Sequence, residues 1–138
     1  MTELEQSVPG LKTFRIIKPN DDVYNCVAWA VEKTDDWCWP RPRHYWPEDL
    51  TRTETLTSFR EMFNSLGFEE CDNEYHESGI QKVAIFAIQG KPTHAARQMK
   101  DGSWTSKIGG GPLIEHLLRE IEGDAYGQIV MILKRAIT

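Results

Sequence analysis

The sequence predicts an α+β fold in which an N-terminal, cysteine-bearing helix packs on an antiparallel β-sheet of about four strands. Three observations carry that expectation. The apolar run that opens at Cys26 and a periodic segment ending at Leu66 both read as helices. Beyond residue 80 the pattern changes to short apolar or alternating runs, at Val83–Ile88, Thr93–Met99, Ser103–Ile108 and Gln128–Leu133. Between the middle two lies Asp101-Gly102, a type I′ hairpin signal. Helices first and strands afterwards define the α+β class. The 138 residues suffice for one domain with its own core, over 14–138, preceded by a polar segment, 1–13, that reads as flexible.

Taken in order, Phe14 to Ile17 reads as a short edge strand stopped by Pro19. Asn20-Asp21-Asp22 is a turn cluster, and Asp22 or Asn25 can cap the helix that starts at Cys26. Val27, Ala28, Ala30 and Val31 leave that helix almost no polar face, so it is expected to be buried. Residues 37–47 hold three tryptophans, a tyrosine and three prolines, which rules out a regular helix or a central strand. Such a loop either plugs a core edge or walls a binding groove. Thr51 to Leu66 carries Leu56, Phe59, Met62, Phe63 and Leu66 at helical spacing, with Thr51 or Thr53 as cap and Gly67 as stop. Leu113 to Ile121 reads as a short amphipathic helix after the Gly109-Gly110-Gly111-Pro112 break.

Composition narrows the function. A formal charge of −5 and a pI near 5.4 argue against nucleic acid as a partner. No stretch approaches the ~20 apolar residues that span a bilayer, and the first residues lack a signal core, so no membrane role is expected. Three cysteines without a Cys-x-x-Cys pair predict free thiols and a reducing, cytoplasmic location. His94, His76, Cys71 and Asp72 match no common ligand spacing, so neither a metal nor another cofactor is expected.

The chemistry-bearing pair is Cys26 and His94, 68 positions apart. A thiol at a helix start gains from the first-turn N–H groups, which favour thiolate. An imidazole from a distant strand then serves as base and acid. Asn20 is a candidate oxyanion donor. A two-residue turn at Asp101-Gly102 makes cross-strand partners sum to 203, so His94 faces Gly109 and no acidic side chain lies beside it. Asp101 is too far along the strand at ~3.3 Å per residue. The orienter of the imidazole is therefore a neutral group, with Thr105, Ser106 and Gln98 all open. Trp37, Trp39, Tyr45, Trp46 and Trp104 are candidate substrate-binding walls.

Five motifs together identify a resemblance: Tyr24-Asn25-Cys26-x-Ala28-Trp29-Ala30, Tyr45-Trp46-Pro47, Gly67-Phe68-Glu69-x-Cys71, Lys91-Pro92-Thr93-His94-Ala95-Ala96-Arg97-Gln98 and Trp104-Thr105-Ser106-Lys107-x-Gly109. From about Tyr24 to Arg135 the chain resembles a family of small, uncharacterised bacterial proteins. More distantly, through Cys26 and His94, it is similar to papain-like and NlpC/P60-like cysteine hydrolases. That likeness implies a papain-like fold and a Cys-His dyad that cleaves an amide bond in a peptide, protein or small molecule. The alternative expectation is a non-catalytic module of the same fold that binds a protein or small ligand through the Trp/Tyr/Pro-rich loop.

Overall fold

Strand pairing dominates the architecture of residues 3–137, which a computed structural model describes. Seven strands form one antiparallel sheet. Their spatial order is β1 (Phe14–Lys18), β6 (Leu113–His116), β5 (Trp104–Lys107), β4 (Lys91–Gln98), β3 (Ile80–Ile88), β7 (Gln128–Ala136) and β2 (Glu69–Cys71). The α-helices among the described residues are short: α1 (Glu3–Ser7), α2 (Cys26–Ala30) and α3 (Leu56–Ser65), joined by a 3-10 turn at Leu118–Ile121.

This overturns the expected papain-like arrangement of a helix on about four strands. The largest error is at residues 113–121. Their apolar spacing fits a helix, but Leu113–His116 is extended and pairs with both β5 and β1, and only the last four residues coil. A short apolar run is ambiguous by periodicity, and the vacancy beside β5 decides it. The segment read as a flexible end carries α1, and Val8 and Leu11 are buried.

The sheet separates two apolar layers. On one face α2 and α3 cover Val83, Ile85, Ala95 and Leu133. On the other, Val8, Leu11, Leu118 and Ile121 cover Ala84, Phe86, Ala96, Trp104 and Ile114. Val83 to Ala87 is buried without alternation because both of its faces are covered. Helix α3 starts later than its pattern suggests, with Thr55 as the cap, and Phe59, Met62 and Phe63 bury its stripe before Gly67 ends it.

One register detail positions the site. Gly102 adopts φ +93°, and Met99 N–H bonds the Ser103 carbonyl, so the β4–β5 loop has three residues, 100–102. Partners therefore sum to 202, as in Arg97↔Thr105 and Gln98↔Trp104. A slip of one residue reverses every side chain with respect to the two faces. Under the 203 sum Thr105 and Lys107 would share the face of His94; under the observed register Ser106 does. Among the described residues no helix is long and apolar enough to cross a membrane.

Candidate active site

Asn25 builds the Cys26 end of the site. Its extended backbone caps α2, and its Oδ1 accepts hydrogen bonds from Ala28 N–H (3.1 Å) and Cys38 N–H (3.0 Å). Its Nδ2 donates to the Cys38 carbonyl (3.0 Å), so one buried side chain both starts the helix and fastens the aromatic loop to it. Cys26 follows as the first helical residue, only 5% exposed. The backbone N–H groups of Ala95, Val27 and Cys26 itself, and the Lys107 ammonium, pull its pKa down. All four contributions favour thiolate. Burial outweighs them and pushes the thiol up to about 11, against the expectation of a lowered value. A five-residue helix brings little dipole to set against that desolvation.

His94 is fully buried on β4 opposite Phe86. Its ring meets Phe86 at 5.4 Å and stacks on Tyr126 with centroids 4.2 Å apart. Nε2 lies 2.9 Å from Ser106 Oγ, which lies 2.7 Å from His116 Nε2. His116 Nδ1 reaches the Leu117 carbonyl at 2.9 Å. Nδ1 of His94 is buried with no hydrogen-bond partner among the described residues. Burial first, and His116 second, push the imidazole down to about 3, so it is neutral at physiological pH.

The strand pleat sets the relation between the two groups. Ala95 faces α2 and Cys26, whereas His94 shares the other face with Phe86 and Ala96. Thiol and imidazole approach β4 from opposite sides, one residue apart, where β4–β5 pairing has opened beyond Arg97↔Thr105. Thr93 is the extra residue of a β-bulge at this point, since Phe86 pairs with His94 and Ala87 with Pro92. No hydrogen bond joins Cys26 to either ring nitrogen.

A pocket of about 220 Å3 opens over Cys26, lined by Asn25, Trp37, Trp39, Arg41, His44, Thr93, Gly109 and Tyr126. Trp39 Nε1 (2.9 Å) and the Arg41 guanidinium (2.9 and 3.1 Å) both donate to Glu54, which holds the upper wall in place. The other expected walls lie elsewhere. Trp46 is buried against Phe59, Trp104 sits in the opposite core layer, and Tyr45 is exposed beneath Lys33. The aromatic loop thus fills both roles weighed for it, plugging the core with Trp46 and walling a pocket with Trp37 and Trp39.

Asn20 is exposed and lines a different cavity, with Leu4, Phe14 and Pro112, so it is not brought to Cys26. Among the orienter candidates, Ser106 touches His94. Thr105 instead accepts from Trp29 Nε1 and donates to the Arg97 carbonyl on the α2 side. Gln98 Nε2 bonds the Glu74 and Gly102 carbonyls. Sequence reasoning missed His116, because its strand was read as a helix, and Tyr126, which sits in a turn with no pattern to mark it. Among the described residues no group of three or more His, Cys, Asp or Glu side chains could hold a metal ion.

No curated protein and no solved structure matches the chain. A family described as a domain of unknown function, DUF7689, matches residues 15–134, and the chain belongs to that family.

Proposed function

We propose that the protein is a cysteine hydrolase acting on an amide bond, with Cys26 as nucleophile and His94 as base. The observation that carries this reading is the place of Cys26, the first residue of α2, in the lining of a pocket walled by Trp37 and Trp39. Backbone N–H groups and the Lys107 charge favour a sulfur anion there, and desolvation opposes it. Across β4, His94 carries an unpartnered Nδ1. At rest both groups are neutral, so in this reading the thiol gives up its proton as substrate binds. The thiol proton then passes to Nδ1 and the sulfur bonds to the amide carbonyl carbon. The C–N bond breaks with that proton delivered to the leaving amine, and water hydrolyses the thioester to regenerate the thiol. A reducing compartment protects a free thiol nucleophile from oxidation, and the cytoplasm is the proposed location.

A pool of peptide vinyl sulfones tests this in wild type, Cys26→Ala and His94→Ala. We expect an adduct on Cys26 in wild type and at least a ~100-fold slower reaction in His94→Ala, the usual value of a general base. Equal adduct in wild type and His94→Ala refutes the dyad.

A second reading has its own support. Trp37, Trp39, Arg41 and His44 form one side of the pocket, with Trp37 and His44 rings 5.6 Å apart. That wall suits a planar or cationic ligand bound without chemistry, and Cys26 is then a core thiol. Ligand-induced tryptophan quenching that survives Cys26→Ala, with no adduct formed, favours this reading.

A further inference from the structure

The line from His94 to Leu117 has a direction that hydrogen-bond chemistry dictates. A carbonyl only accepts, so the 2.9 Å contact to the Leu117 oxygen places a proton on His116 Nδ1. Burial keeps His116 neutral, which leaves its Nε2 a bare acceptor. Ser106 must then donate its hydroxyl proton across the 2.7 Å contact to that nitrogen. The Ser106 oxygen therefore accepts from His94 Nε2–H at 2.9 Å. A neutral imidazole with its proton on Nε2 carries only a lone pair on Nδ1.

We propose that Ser106 and His116 are positioning residues that transmit the polarity of the Leu117 carbonyl to His94, fixing its Nε2–H tautomer and keeping Nδ1 a proton acceptor. The proposal builds on the reading of His94 as the base, because the opposite tautomer presents a proton where the thiol proton must go. The relay is enclosed: Ser106 and His94 are fully buried and His116 is 5% exposed. It spans β4, β5 and β6, and it exists because the 202 register sets Ser106 on the face of His94.

The same logic gives the relay an acid limit. A second proton on His116 turns its Nε2 into a donor to Ser106. The hydroxyl then donates to His94 Nε2, which leaves the neutral His94 with its proton on Nδ1. Charged groups facing His116 are Glu115 on its own strand, paired to Arg15 of β1, and Glu120 on the 3-10 turn; His94 faces it through Ser106.

Imidazole 15N spectra of the full chain, labelled at histidine and assigned with His94→Asn and His116→Gln, test the proposal. At pH 7.5 we expect a pyridine-like Nδ1 on His94 and a pyridine-like Nε2 on His116. Ser106→Ala removes one atom and should move His94 to a mixture of tautomers, and Ser106→Thr, which keeps the hydroxyl, should restore the wild-type pattern. A pyrrole-like His94 Nδ1 in wild type overturns the proposal without any variant, and so does a folded Ser106→Ala with an unchanged His94 spectrum. The expected spectrum without any Cys26 adduct removes the hydrolase reading alone. An adduct with the wrong tautomer removes the relay alone.

Discussion

Burying His94 as a neutral ring ties folding to pH in a window above the titration of the carboxylates. An exposed imidazole titrates near 6.5, and the buried one is pushed down to about 3. Between those values the unfolded chain holds one more proton than the folded chain at this residue. Stability from His94 is therefore complete above pH 6.5 and is lost as pH falls toward 3. Lowering the pH from 7.5 to 5.0 spans ~1.5 units below the unfolded value, and at ~1.36 kcal/mol per unit this costs about 2 kcal/mol. His116 is shifted the same way by burial and adds to the slope. The carboxylates with lowered values, Glu54, Glu77, Asp35 and Asp101, release their stabilisation only below their unfolded values near 4, outside this window. Urea denaturation at pH 7.5, 6.0 and 5.0 measures the effect. With an m-value of about 2 kcal/mol/M the His94 contribution alone moves the midpoint by ~1 M. His94→Asn should lower stability at pH 7.5, remove the ~2 kcal/mol of pH dependence due to His94, and leave the part due to His116. A wild-type midpoint that is flat from pH 7.5 to 5.0, or a slope identical in His94→Asn, refutes the buried neutral imidazole.

Three further outcomes follow from the same geometry. Iodoacetamide should label the half-buried Cys71 before Cys26 at pH 7, with Cys26 labelling rising steeply as pH climbs toward 11; mass spectrometry of the three thiols reads this, and a fast, pH-independent Cys26 contradicts the burial argument. Asn25→Ala removes the α2 cap and strands the buried Cys38 N–H, so it should destabilise the fold by roughly 2–4 kcal/mol in urea melts and detach the Trp37–Trp39 wall. Gly127→Ala should be the harsher change despite its distance from Cys26. Its φ of +79° disfavours a side chain, and the new Cβ would stand 2.0 Å from the Ala87 carbonyl oxygen, forcing the turn that stacks Tyr126 on His94 to shift. A melting temperature within a few degrees of wild type contradicts that packing.

Features governed by short-range chemistry are legible in the order of residues. Asn25 ahead of an apolar run marks a capped helix start at Cys26, because an N-cap acts over three residues. The Phe59, Met62 and Phe63 stripe with Gly67 behind it marks α3, and Val83–Ile88 marks a strand buried on both faces. Tertiary structure decided everything that turns on pairing and on solvent. The loop at 100–102 took three residues instead of two, through the left-handed Gly102, and that single step put Ser106 rather than Thr105 against His94. Leu113–His116 became a strand because β5 and β1 flank it, which created the His116 end of the relay. Burial, a property of the whole fold, reversed the expected ionisation of Cys26 by removing the water that the helix start alone cannot replace.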